Sequence, residues 1–79
     1  MDKTKNKDKH INAHIILGQN IRERRLASNL SQEELAFKIS SARNYVGCIE
    51  RGEKSPSINI LLDIAKVLNC KISDLFKNI

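Results

Sequence analysis

An all-α domain of five short helices is what this sequence predicts, and three observations predict it. No segment alternates apolar and polar residues as a half-buried strand would. From His14 onward, apolar residues recur at three- and four-residue spacing, and the stretches that do so are separated by Ser, Asn, Gly and Pro. With 79 residues the chain has room for one compact domain, whose core must come from well-packed elements or an oligomeric partner.

Residues 1–13 are expected to form a disordered basic arm, and 14–79 the folded domain. The arm carries Lys3, Lys5, Lys7 and Lys9 against Asp2 and Asp8, and after the start Met its strongly apolar content is Ile11, too little to offset chain entropy. Two roles fit it: a basic segment that touches a polyanion, or a solubilising tail.

Leu17, Ile21 and Arg25 share one face of a first helix that begins near His14 and ends near Ser28, with Asn29 as a left-handed cap. Ser31-Gln32-Glu33-Glu34 is an S-x-x-E capping box that starts a second helix, whose inner face is Leu35, Ala36 and Ile39. Ser40 and Ser41 break the pattern. A third helix from about Ala42 to Arg51 keeps Ala42, Val46 and Ile49 on one side, and Gly52 ends it. Ser57 then caps a fourth helix running to Leu68, with Ile58, Leu61, Leu62, Ala65 and Leu68 as its core stripe and Asn69 as its stop. Ser73 is the expected cap of a short fifth helix holding Asp74, Leu75 and Phe76.

Composition narrows the function. A formal net charge of +5 suits a polyanionic partner. Cys48 and Cys70 have no nearby Cys or His at zinc-ligand spacing, and His10 and His14 lie in or beside the arm, so no metal is expected. The chain shows no Gly-rich phosphate loop, paired carboxylates or nucleophile with a neighbouring base, which argues against an enzyme and against a cofactor; no small-molecule effector is evident either. No apolar run approaches the roughly 18 residues of a membrane span, and the charged start is unlike a signal peptide. The expected location is cytoplasmic, with both thiols reduced.

Two short helices joined by a tight turn, the second with a polar, basic outer face, are the minimum for reading a DNA major groove. That face holds Arg43, Asn44, Gly47, Cys48 and Arg51. Arg43 and Asn44 fall in its first turn, and their side chains match the donor and acceptor patterns of guanine and adenine, each good bidentate contact giving about 1–3 kcal/mol of discrimination.

Four blocks in order, Ser31 to Ala36, Tyr45 to Gly52, Pro56-Ser57 and Leu61 to Leu68, resemble the Cro/C1-type helix-turn-helix family, also called the Xre family. The resemblance spans about Leu17 to Phe76 and implies a lambda-repressor-like fold with the helix-turn-helix at the second and third helices. It implies that Gln32 grips a phosphate at a helix N-terminus. Arg43, Asn44, Gly47 and Cys48 match base-facing positions, and Tyr45, Arg51 and Lys54 match sugar-phosphate positions. Arg25 and Glu50 match a buried ion pair between the first and third helices. Arg43-Asn44-Tyr45 before Val46 further resembles the Arg-x-Tyr run of restriction-modification controller proteins, a subgroup that works as a bare DNA-binding dimer.

Some positions depart from the family pattern or admit two readings. Gly47 stands where Ser or a longer polar residue is frequent, which removes a base contact, costs roughly 0.5–1 kcal/mol of helix stability and lets the backbone approach the groove. Cys48 offers an apolar contact, for instance to a thymine methyl, or a thiol whose oxidation would obstruct docking. Tyr45 fits either a phosphate contact or packing on the protein surface. Cys70 reads as a small core residue.

The fourth helix carries a second apolar line, Ile60, Ile64 and Val67. Ile60 with Leu75, Phe76 and Ile79 would make the self-complementary patch of a two-fold homodimer. Such a dimer would bind a near-palindromic operator in double-stranded DNA, its half-sites about one helical turn apart, roughly 34–36 Å. The alternative is an antitoxin-like interaction module, in which the same fold masks a partner protein.

Overall fold

The computed structural model describes residues 10–79, so most of the expected arm lies outside the described residues. Five helices follow in order: α1 (Ile11–Ala27), α2 (Gln32–Lys38), α3 (Arg43–Glu50), α4 (Ile58–Val67) and α5 (Ile72–Leu75). No strand is present among the described residues.

The first four helices stop by one backbone device. Asn29, Ser40, Gly52 and Asn69 take φ of 59°, 55°, 76° and 55°, just past the helix ends. In each case the next N–H turns back to a carbonyl five residues earlier: Leu30 to Arg25 at 3.1 Å, Ser41 to Ala36 at 2.8 Å, Glu53 to Cys48 at 2.8 Å and Cys70 to Ala65 at 2.9 Å. These Schellman turns satisfy carbonyls that would otherwise be orphaned. Ser40 is the one residue of the four without an intrinsic liking for the left-handed region, and it is held there by the flanking bonds.

Three of the starts are set by side chains. Ser31 Oγ accepts from the Glu34 N–H at 3.0 Å while Glu34 accepts from the Ser31 N–H at 2.8 Å, completing the capping box. Ser57 Oγ accepts from the Ile60 N–H at 3.2 Å and opens α4. The last helix departs from expectation: it starts at Ile72, with Lys71 as N-cap and Ser73 inside it. Asp74 decides this, since its carboxylate accepts the Lys71 N–H at 2.9 Å. α1 also begins at Ile11 rather than His14, because adding residues to a formed helix gains a bond apiece, as in His14 N–H to His10 C=O at 3.1 Å.

Ile21, Leu35, Val46, Ile49, Ile64 and Leu75 are the fully buried side chains at the centre, one or two from every helix. α2 packs on α3 and α4, α1 packs on α3 and α5, and α4 packs on α5. The α1–α3 crossing is unusually close. A Cβ on Gly18 would stand 2.5 Å from the Glu50 carbonyl oxygen and nearer still to that of Ile49. Only a glycine lets the two backbones approach that far. Asn20, on the same helix, donates to the Leu75 and Lys77 carbonyls at 2.8 Å each and ties the C-terminal turn to α1.

Three side-chain placements correct the expected stripes. On α4 the inward face is Leu61, Ile64, Ala65 and Leu68, while Ile58 and Leu62 are 60% and 50% exposed. The periodicity was ambiguous because apolar residues nearly encircle this helix, and contact with α2 and α5 selected the face. Ala42 is exposed, since as N-cap it precedes the helical turn that carries Val46 and Ile49 inward. Leu75, expected on a surface patch, is completely buried, because it is the apolar side chain that α5 turns toward α1 and α4.

Candidate nucleic-acid interface

α3 is amphipathic in three dimensions as in sequence. Val46 and Ile49 are 1% exposed and packed against the other helices, whereas Arg43 and Asn44 face outward in its first turn. With Gln32 from the start of α2, and Gly47, Cys48 and Arg51 further along, they line an open cleft of about 320 Å³. All six lining residues are ones that the sequence assigns to DNA on separate grounds, four as base-facing and two as backbone-facing. The fold brings both classes to one surface. A larger open cleft, about 660 Å³, lies elsewhere, between the end of α2 and α4, lined by Lys38, Ile39, Ser40, Asp63, Lys66 and Val67.

Beneath the cleft runs a buried polar network. Arg25 Nε and Nη2 donate to the two Glu50 carboxylate oxygens at 2.6 and 3.0 Å, and Nη1 donates to the Leu30 carbonyl at 2.8 Å. Gln32 Nε2 adds a bond to Glu50 Oε1 at 3.0 Å. Burying two charges costs several kcal/mol each unless donors and acceptors are matched. Here they are, and among the described residues no buried side-chain polar atom lacks a partner. The network pins the C-terminal end of α3 to α1 and to the first residue of α2, so the orientation of the outward face is fixed from behind.

Gln32 therefore has two sides. One amide N–H is committed to Glu50, and Oε1 lies 3.6 Å from where a Gly47 Cβ would be. The second amide hydrogen makes no bond to the described residues. Gly47 itself is buried beneath Gln32 and Arg51, so it contributes space rather than a contact. Cys48 is half-buried, and its Sγ accepts from Arg51 Nη2 at 3.6 Å.

Arg51 caps the end of α3 and folds back along it. Its Nε and Nη2 donate to the two oxygens of Glu53 at 2.8 and 3.2 Å. The pairing raises the already high Arg51 pKa and lowers that of the Glu53 carboxyl, chiefly through these hydrogen bonds. Lys54 is exposed in the following turn. Tyr45 packs its ring against the core cluster and is half-buried, with the hydroxyl making no hydrogen bond to the described residues.

Sequence reading missed three of these features. The Arg51–Glu53 pair spans Gly52, a spacing at which helical side chains would not meet. The Gln32–Glu50 bond and the Asn20 clamp join residues 18 and more than 50 positions apart, and no local pattern encodes them. Of the residues expected at a dimer surface, Ile60 is half-buried and Phe76 and Ile79 are 40% and 55% exposed. Among the described residues no helix is long and apolar enough to cross a membrane.

A helix-turn-helix family model matches residues 21–75 of the chain. The chain is 40% identical over 65 residues to the control protein C.BamHI of Bacillus amyloliquefaciens, covering 81% of this chain and 80% of that one. It is 40% identical over 60 residues to the control protein C.SmaI of Serratia marcescens, covering 76% of this chain and 71% of the relative. Among solved structures, the restriction-modification controller protein C.AhdI from Aeromonas hydrophila matches with a TM-score of 0.81 at 40% identity, over 85% of this chain and 97% of that one.

Proposed function

Because this chain belongs to the helix-turn-helix family, we propose that it is a sequence-specific DNA-binding transcriptional regulator that controls a restriction-modification operon from the cytoplasm. α3 enters the major groove, with Arg43 and Asn44 reading base edges. Gln32, Tyr45 and Lys54 hold the sugar-phosphate backbone. The protein acts by binding rather than by catalysis.

One observation carries this reading: Arg43 and Asn44 are outward-facing at the rim of a cleft that Gln32 also lines, on a helix whose opposite side is clamped by buried Val46 and Ile49. A rigid helix presenting an exposed arginine and asparagine, with an amide donor beside it, is built to dock against a lined-up set of acceptors. The two 40%-identical relatives named as control proteins support the operon assignment.

The protein works as a homodimer on a near-palindromic operator. With Leu75 in the core, the self-complementary surface is drawn instead from the exposed large apolar side chains of α4 and the C-terminus: Ile58, Leu62, Phe76 and Ile79.

The test is competition binding. Arg43→Ala should weaken binding to a duplex enriched from a random pool by about 1–3 kcal/mol and relax preference at one base, whereas Lys54→Ala should weaken all duplexes alike and flatten the salt dependence. An Arg43→Ala variant that lost affinity equally for enriched and random DNA would remove Arg43 from the base readers.

A further inference from the structure

We infer that Arg51 and Glu53 act as a single reading unit for one G·C base pair in each half-site, with the missing side chain of Gly47 providing the seat. This rests on the DNA-binding role proposed above, and it moves Arg51 from the backbone-contacting set, where the family resemblance puts it, to the base-reading set.

The position of the guanidinium is the first ground. Arg51 follows α3, yet its side chain runs back one turn: Nη2 is 3.6 Å from Cys48 Sγ, and Nη1 would be 3.1 Å from a Cβ on Gly47. The guanidinium thus occupies the space that a side chain at position 47 would take, on the cleft that Arg43 and Asn44 line. Gly47 stands where a longer polar residue would reach toward a base. Arg51 supplies the missing polar group from four residues further on.

The partner is the second ground. Glu53 holds the Nε and Nη2 side of the fork with two bonds, at 2.8 and 3.2 Å. Its own backbone is fixed by the Schellman bond to Cys48 C=O at 2.8 Å. A phosphate approaching this guanidinium would meet the Glu53 carboxylate beside it and be repelled. A base edge carries no net charge and meets no such penalty. The pair offers donors from Arg51 next to an acceptor from Glu53, and a G·C pair presents the complement: acceptors at guanine O6 and N7, and a donor at cytosine N4. The carboxylate also orders a long side chain before DNA arrives, which lowers the entropy lost on docking.

The experiment enriches duplexes from a randomised pool with the full chain, then measures affinity for the preferred duplex and for each single base-pair change in it. The wild type, Arg51→Lys, Glu53→Gln and Gly47→Ala are compared, with thermal melting to confirm that each variant is folded. The inference expects all three variants to lose preference at the same G·C pair, Arg51→Lys by about ten- to a hundredfold, while preferences set by Arg43 persist. Gly47→Ala tests the seat without touching either charge.

Three results would overturn the inference. Arg51→Lys could weaken every duplex equally; Glu53→Gln could tighten binding to all duplexes, as for a carboxylate that merely repels phosphate; or Glu53→Gln could leave the base profile unchanged. If the wild type enriched no sequence at all, DNA reading itself would fall, an outcome distinct from a wild type that selects and an Arg51 that does not contribute.

Discussion

Arg25 and Glu50, 25 positions apart in the chain, meet in a bidentate ion pair at 2.6 and 3.0 Å with their side chains 7% and 2% exposed. The pair joins α1 to the last residue of α3, and Gln32 ties it to α2. The geometry that presents the outward face of α3 thus depends on a buried charge network directly behind it.

Truncating one partner strands the other charge. Glu50→Ala is expected to destabilise the fold by about 3–5 kcal/mol, read as a lower urea midpoint with an unchanged slope. Replacing both residues together by apolar side chains of similar volume should cost far less than the sum of the single changes. Additive costs would mean that the two side chains are not energetically coupled.

Gly18 sets how closely α1 and α3 approach. Its substitution by Ala has two opposed effects, a helix-propensity gain of up to about 1 kcal/mol and a steric clash with the Ile49 and Glu50 carbonyls. Those carbonyls are backbone and cannot rotate aside. The clash should win, giving a net loss of about 1–3 kcal/mol on thermal unfolding. In contrast, Gly47→Ala meets only the mobile end of Arg51 and should leave stability unchanged or raised.

The capping box gives a pH dependence. Bonding to Ser31 lowers the Glu34 carboxyl pKa below its ordinary 4.5. A carboxyl held lower in the folded state stabilises it above the unfolded pKa, and the contribution disappears as pH falls through the folded value. Glu34→Gln should therefore melt below the wild type at pH 7, with the gap closing below about pH 4.5. A gap that stayed constant down to pH 2 would assign the effect to something other than ionisation.

Oligomeric state tests the revised apolar surface. Leu62 and Phe76 are 50% and 40% exposed, so Leu62→Glu and Phe76→Glu should leave the protomer folded while shifting a dimeric mass by light scattering to a monomeric one. Leu75→Glu, at a fully buried site, should unfold the protomer instead.

Local chemistry made much of this molecule legible before any coordinates. The start of α2 was legible because Ser31 and Glu34 satisfy backbone groups three residues away, and the ends at Asn29, Gly52 and Asn69 because few residues accept a left-handed backbone. The α1 and α2 inner faces could be read because polar residues flank them: Leu17 and Ile21 on one, Leu35, Ala36 and Ile39 on the other. On α4, where Ile58 to Leu68 is apolar on nearly every side, periodicity had no contrast to work with. Packing against α2 and α5 made that choice, and it also put Leu75 inside.

The outward face of α3 divides the same way. Sequence placed Arg43 and Asn44 outward because α3 has a clear polar side, fixed by Val46 and Ile49 within two turns. That Arg51 lies back over Gly47, clasped by Glu53, and that Gln32 shares its amide with Glu50, were decided by the crossing of α2, α3 and the turn at Gly52. Such contacts depend on angles between elements, which follow from the packing of the entire core rather than from any short run of residues.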